Sequence, residues 1–136
     1  MINSKKLFDD SEAAHPITEE EIIKIEKIHG TVLLIGAEDD VLWDTAKYIR
    51  RMELRMKERP HTCRLESVIY EHATHFVFLE SMLKTMLPIG SRIFMKLAFQ
   101  AARKYPKECR SARMDIDCRV RNAVAKWKNR KDTDKK

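Results

Sequence analysis

The chain has 136 residues and a formal net charge of +6, with 43% hydrophobic and 35% charged residues. This length permits one domain with a modest core, and the composition is typical of a globular chain with charged helix surfaces. No apolar run approaches the roughly 20 residues of a membrane-spanning helix, so we expect no membrane span.

The chain is predicted to consist of three segments. Residues 1–16 are polar and without periodicity, and we predict a poorly ordered lead-in. Residues 17–128 are predicted to form one partial α/β domain, and residues 129–136 form a charged tail. The domain begins with Thr18-x-x-Glu21, a capping box that predicts the start of a short helix before Gly30.

The sequence of this domain first predicts a βαβ unit. Thr31–Ile35 is a continuous β-branched and aliphatic run, which is typical of a strand buried on both faces of a parallel sheet. Residues 44–58 have helical spacing, with Asp44 as a helix cap and Pro60 just beyond the end. Arg64–Tyr70 predicts a second strand, so strand, helix and strand follow within about 40 residues.

Helices are the only elements predicted after the second strand. The predicted segments are Glu80–Leu87, Ser91–Tyr105 and a last helix that Ser111 caps and that continues to Trp127. A two-stranded parallel sheet rarely stands alone. The predicted fold class is therefore α/β, as the C-terminal portion of a larger fold: a short parallel βαβ unit followed by several helices.

Two polar turns follow the predicted strands. Gly36–Asp40 is an acidic turn after the first strand, and His72 and His75 follow the second. Because the carboxyl ends of adjacent parallel strands lie side by side, an acid on one loop can accept the ring N–H of a histidine on the other. Asp39, the fourth residue of Gly-x-x-Asp, is the preferred acid, and the side chains of its neighbours are expected to point elsewhere. The spacing alone favours neither histidine.

An acid and a histidine in that chain order are two members of a nucleophile–histidine–acid triad. Alone, an acidic turn after a strand is more often a solvated turn or a helix cap, and a histidine in a loop is more often an ordinary loop residue. The sequence lacks Gly-x-Ser-x-Gly, because none of its glycines brackets a serine or cysteine in that way. It also lacks a phosphate-binding loop or a zinc-ligand motif, so we expect no cofactor and no metal.

The turns and the first strand resemble a known family. From Ile25 to Trp43 the chain has a Lys-Ile-x-Gly turn, an aliphatic strand and an Asp-Asp-x-x-Trp turn, and from Tyr70 to Phe76 a tyrosine precedes a histidine in a small-residue context. These stretches resemble the C-terminal domain of the acyl-CoA thioester hydrolase / bile acid-CoA:amino acid N-acyltransferase family, a branch of the α/β-hydrolases. The resemblance is specific across residues 25–76 and weaker beyond them.

The resemblance implies roles for two residues, Asp39 as the triad acid and His75 as the triad base, in preference to His72. It implies an acyl-CoA or other thioester substrate, an acyl-enzyme, and acyl transfer to water or an amine. The family's nucleophile, serine or cysteine, and its oxyanion hole lie upstream of the similar region. Thr74 stands where the family has glycine, and the proline that follows the tryptophan in the family is absent.

We therefore predict a C-terminal segment of an acyl-CoA thioesterase-like hydrolase that supplies acid and histidine but not the nucleophile, and that is inactive alone. Its expected partners are the nucleophile-bearing segment or a second copy of the chain. The alternative is a non-catalytic remnant or binding module of the same fold.

Charge and thiol content complete the sequence predictions. Residues 92–136 hold 15 Lys+Arg against 5 Asp+Glu, whereas residues 1–91 hold 12 against 16. A basic end attracts anions, so nucleic-acid binding by this half is the third hypothesis, although no aromatic platform or recognition motif for nucleic acid accompanies it. The cysteines, Cys63, Cys109 and Cys118, are odd in number and widely spaced. With no secretory signal at the start, we expect reduced thiols and a cytoplasmic protein.

Overall fold

A two-stranded parallel sheet with helices packed on its two faces forms the centre of the structure. The computed structural model describes residues 3–75, 82, 85 and 90–133. In chain order the elements are α1 (Lys5–Ala14), a 3₁₀ turn (Ile25–Lys27), β1 (Thr31–Ala37), α2 (Thr45–Glu58), β2 (Arg64–Tyr70), α3 (Ser91–Ala98), α4 (Gln100–Lys104) and α5 (Pro106–Thr133). The predicted mixed α/β class with a short parallel sheet and several helices is confirmed.

The predicted βαβ unit is present. Strands β1 and β2 pair in parallel, from Thr31 opposite Arg64 to Ala37 opposite Tyr70. Strand β1 is two residues longer than predicted. Helix α2 begins after the predicted cap, since the side chain of Asp44 accepts a 2.9 Å hydrogen bond from the backbone N–H of Lys47.

Helix α2 covers the first face of the sheet. Its buried residues are Ala46, Ile49 and Met56, which lie on one stripe of the helix. Gly36 of β1 permits a close approach, because a Cβ built there would lie 2.6 Å from Cδ1 of Ile49 and 3.0 Å from Oγ1 of Thr45. At the carboxyl end of β1, side chains of α2 therefore pack directly against the backbone of the strand.

Helix α5 covers the second face. Ala112 is buried against Ala37, with Tyr70 packed beside them. The hydroxyl of Tyr70 donates a 2.6 Å hydrogen bond to Asp115, and burial is the main cause that raises the pKa of Tyr70 to about 12. At the opposite end of the strands, a cavity of ≈330 Å³ lies between β1 and the part of α5 around Trp127.

Helix α1 differs from the predicted lead-in. It has no buried residue, and it is attached to the domain by ion pairs and by hydrogen bonds from Ser4 and Lys5 to carbonyls of the loop after β1. Glu12 pairs with Lys47 at 2.8 Å and also with Arg51, and Lys5 pairs with Asp44 at 2.7 Å. Periodicity of apolar residues, on which the prediction depended, does not detect a helix that is attached by its charges.

Three other helix predictions need correction. Only half of the capping box forms: Glu21 accepts from the N–H and the hydroxyl of Thr18, its own N–H donates to the Thr18 carbonyl, and a turn follows rather than a helix. The helix predicted over 91–105 divides at Phe99, whose backbone is extended and whose side chain is buried. Helix α5 begins at Pro106 instead of Ser111, because proline suits the first helical position, where no N–H is needed.

The predicted helix over 80–87 and the expected absence of a membrane-spanning helix are the remaining sequence predictions about the fold. Of the helix predicted over 80–87, only residues 82 and 85 belong to the described part of the chain. Within the described ranges, no helix combines the length and the apolar character that crossing a bilayer requires.

Candidate active site

The loops that follow β1 and β2 lie side by side. The last paired residues of the strands are Ala37 and Tyr70, and the N–H of Glu38 continues the ladder by donating to the carbonyl of Tyr70 at 2.9 Å. The acidic loop from Glu38 to Asp44 and the histidine loop from Glu71 to His75 therefore leave the sheet at the same end, beyond the carboxyl ends of both strands. This is the end where open α/β sheets carry their ligands.

Asp40 is a buried carboxylate in the acidic loop, with only 2% of its surface exposed. Its Oδ1 accepts a 3.0 Å hydrogen bond from the N–H of Leu42, which fixes the carboxylate within its own turn. Its Oδ2 lies 2.9 Å from Nδ1 of His75. An ionised carboxylate only accepts hydrogen bonds, so Nδ1 is the donor and the neutral imidazole keeps its lone pair on Nε2.

The ring of His75 also contacts an aromatic residue of the acidic loop. The rings of Trp43 and His75 form a T-shaped pair with a centroid separation of 4.5 Å and an interplanar angle of 77°. Trp43 in turn meets Phe8 of α1 edge to face at 5.5 Å. The imidazole is therefore oriented by two side chains from one loop, and about a quarter of it, 23%, is exposed.

Asp39 and His72 form a second pair next to the first. Oδ2 of Asp39 lies 2.9 Å from Nδ1 of His72, and Asp39 is the more exposed of the two acids. The ring of His72 stacks on Tyr105, which follows α4, with centroids 3.5 Å apart and planes 6° from parallel. This pair faces α4 and α5, whereas the Asp40–His75 pair lies against the loop and α1.

The pairing differs from the expectation for the acidic loop. The expectation that the Asp40 side chain points away is wrong, since consecutive residues of the turn direct their carboxylates to different histidines. The hydrogen bond described for Asp39 goes to His72, not to His75 as predicted. The catalytic roles of Asp39 and His75 stay predictions.

Two residues of the site were missed by the sequence argument. A pattern that could have favoured Asp40 is the apolar pair Val41 and Leu42 directly after it, which packs against a buried cluster and so turns this part of the loop toward the core. Tyr105 lies in another element, more than 30 residues beyond His72, and no local pattern connects the two. The sequence also does not show that Thr74 is buried, with a hydroxyl that has no hydrogen-bond partner among the described residues.

A cleft opens beside the acidic loop. Its volume is ≈330 Å³, and both aspartates line it together with Lys5, Lys104 and Tyr105. The cleft therefore places cations from α1 and α4 opposite the two carboxylates. It provides space for a ligand or a second polypeptide segment at the edge of the sheet.

The cysteine nearest the site does not supply a reactive thiol to it. All three cysteines are free, and Cys109, which lies in the first turn of α5, is buried. Burial raises the pKa of the Cys109 thiol to about 11, so it stays protonated at neutral pH. No cluster of three or more metal-binding side chains occurs in the part of the chain that the structure describes.

Comparison with known proteins gives one family. Residues 2–80, more than half of the chain, match the family model described as BAAT / acyl-CoA thioester hydrolase C terminal. The matched range contains α1, both strands, the acidic loop, His72 and His75. Neither the curated proteins nor the solved structures yield a significant match.

Proposed function

Since this chain belongs to the BAAT / acyl-CoA thioester hydrolase C-terminal family, we propose that it supplies the histidine and its acid to an acyl-CoA thioesterase or acyltransferase site of the α/β-hydrolase type. The observation that carries the proposal is the buried carboxylate–imidazole pair at the carboxyl edge of the sheet, Oδ2 of Asp40 to Nδ1 of His75 at 2.9 Å.

His75 is the proposed general base. Its Nε2 takes the proton of a serine or cysteine nucleophile while the nucleophile attacks the thioester carbonyl carbon. When the carbon–sulfur bond breaks, the same proton goes to the leaving thiolate. In the second half, Nε2 takes a proton from water or an amine, which attacks the acyl-enzyme, and returns it to the nucleophile.

Asp40 is the proposed triad acid. Its carboxylate is hydrogen-bonded to the ring nitrogen opposite the one that accepts the proton, so it holds the required tautomer and stabilises the imidazolium. The assignment of this role to Asp39 rested on its position in Gly-x-x-Asp and on the family resemblance. Its hydrogen bond to His72 favours a different role, that of positioning His72 on Tyr105.

The nucleophile is proposed to come from another polypeptide segment. The sequence has no Gly-x-Ser-x-Gly turn, and the thiol near the site is protonated and buried. We therefore expect the chain alone to be inactive, since removal of the nucleophile from a triad hydrolase costs about 10⁶ in kcat. A first observation is whether the coding region upstream encodes a strand, Gly-x-Ser/Cys-x-Gly and a helix.

The test combines the chain with that segment, or with the nucleophile-bearing segment of a family enzyme, and measures hydrolysis of acyl-CoA thioesters. We expect turnover only in the mixture, its loss in His75→Ala, and a fall of about 10⁴ in Asp40→Asn. Asp39→Asn is the matched control, because it removes one charge from the adjacent residue, and it should retain most of the activity.

The alternative function, a binding module without catalysis, predicts the opposite results. Under it no mixture hydrolyses a thioester, and His75→Ala changes the activity of no partner. Turnover that is equal in wild type and His75→Ala contradicts the proposed base. Equal losses in the two aspartate variants contradict the assignment of the acid to Asp40.

A further inference from the structure

A second cleft lies between α3, α4 and the first turns of α5, and neither histidine of the candidate site lines it. Its volume is ≈220 Å³. Four cationic side chains line it: Lys96 of α3, and Lys107, Arg110 and Arg113 of α5. None of its described lining residues is acidic. The cleft therefore concentrates positive charge around an open space.

Three of the four cations of this cleft have no acidic partner among the described residues. Across the described residues, no carboxylate lies within ion-pair distance of Lys96, Lys107 or Arg110. By contrast, Arg55 of α2 pairs with both Glu19 and Glu26. Residues 92–113 contain seven Lys or Arg and one acid, Glu108. Gathering like charges costs free energy, and a bound anion would offset that cost.

We propose that this cleft is a binding site for a phosphate-bearing ligand. Arginine can bind two phosphate oxygens at once, and the lysines add compact charges from two different helices. The cleft also lies at the N-terminus of the 28-residue helix α5, whose first N–H groups and dipole favour an anion. The proposal is independent of the function proposed for Asp40 and His75.

The phosphate can belong to a soluble molecule or to a lipid headgroup, since the recognition chemistry is the same. The probe for the first source is inorganic pyrophosphate, measured by titration calorimetry and by the shift of the unfolding temperature. The probe for the second source is vesicles that contain phosphatidic acid, compared with vesicles of neutral phosphatidylcholine in a sedimentation assay.

The test variant is K96Q/K107Q/R110Q, in which three exposed cations of the cleft become neutral. The matched control is K27Q/K57Q/K128Q, which removes the same charge from exposed positions outside the cleft. We expect at least one probe to bind the wild type and the control within about twofold. We expect the cleft variant to bind that probe at least about tenfold more weakly, the loss of one strong charged contact.

A single variant, K107Q, repeats the test if the triple variant does not fold, and an intermediate loss of affinity is expected. Binding of pyrophosphate assigns the site to a soluble ligand, and binding of only the acidic vesicles assigns it to a headgroup. The proposal is overturned if neither probe binds the wild type, or if the control loses as much affinity as the cleft variant.

Discussion

The two aspartates of the acidic loop are chemically identical side chains with different surroundings. Asp40 is 2% exposed, and its two oxygens are engaged by the N–H of Leu42 and by His75. Asp39, one residue earlier, contacts His72 at the border of an open cleft. At the scale of single residues, the direction of one turn therefore decides which carboxylate can orient which imidazole.

This arrangement predicts the effect of Asp40→Asn on the tautomer of His75. The asparagine oxygen must still accept from the N–H of Leu42, so its NH₂ group faces Nδ1 and donates to it. The imidazole proton then moves from Nδ1 to Nε2, the nitrogen proposed to act as base. Nitrogen-15 NMR of the labelled ring distinguishes the two tautomers. A wild-type tautomer in Asp40→Asn contradicts the prediction, and Asp39→Asn, the control, should leave His75 unchanged.

The buried hydroxyl of Thr74 predicts a stabilising substitution. Burying a hydroxyl without a hydrogen-bond partner costs about 1–3 kcal/mol, and valine has nearly the same shape. We expect Thr74→Val to raise the free energy of unfolding by about 1 kcal/mol, as measured by urea denaturation. Thr74→Ser, which keeps the hydroxyl and loses the methyl group, should lower it. A loss of stability in Thr74→Val would show that the hydroxyl has a partner in solution.

At the scale of elements, the contact between β1 and α2 has little spare space. A methyl group at position 36 would collide with Cδ1 of Ile49, and Ile49 is only 3% exposed. We expect Gly36→Ala to lower the free energy of unfolding by about 1–3 kcal/mol. Ile49→Val removes the colliding atom, so the double variant should lose less than the sum of the single losses. Additive losses in urea denaturation contradict this explanation.

The ion pairs of α1 predict that its attachment depends on salt and pH. Hydrogen bonding to Lys47 is the largest cause that holds the pKa of Glu12 below its usual value of 4.5. The contribution of Glu12 to stability is therefore complete above that value and is lost as the pH falls through the lowered pKa. Raising the salt from 0.1 M to 1 M shortens the Debye length from about 10 Å to about 3 Å and should weaken the attachment.

Hydrogen exchange measures this attachment directly. We expect the amides of α1 to exchange faster in 1 M salt, at low pH and in Glu12→Gln, while those of α2 keep their protection. Asp10→Asn is the control, because Asp10 pairs with Lys6 within α1 itself. If Asp10→Asn accelerates exchange as much as Glu12→Gln does, the ion pairs to α2 are not what holds the helix.

At the scale of the whole molecule, the sheet is small and incompletely covered. The central apolar residues of both strands, among them Ile35 and Val68, are only partly buried. An exposed sheet edge with apolar strands promotes pairing. We predict that the chain alone self-associates with rising concentration in analytical ultracentrifugation. Replacing the exposed Ile93 and Leu97 of α3 by glutamine is the control, and it should leave the association intact.

The sequence predicted those parts of the molecule whose cause is local. Strand β2, helix α2 and the cap at Asp44 follow from apolar spacing and capping within a few residues. Helix α1 did not follow, because its partners Lys47 and Arg51 lie more than 30 residues away. The loops that carry the site were found for a topological reason, the common edge of parallel strands. The acidic partner of each histidine was not found, because it depends on the direction in which each of two consecutive aspartates of the turn points its side chain.

The length of α5 has a practical consequence. From Ala112 to Trp127 the helix advances about 22 Å at 1.5 Å per residue, close to the roughly 23 Å of a seven-residue strand. The helix thus extends along the full length of the strands, from their carboxyl ends to their amino ends, where Trp127 borders the cavity near Gly30. A spectroscopic label at Lys128 therefore reports motion of α5 from a position about one strand length away from the imidazoles of His72 and His75.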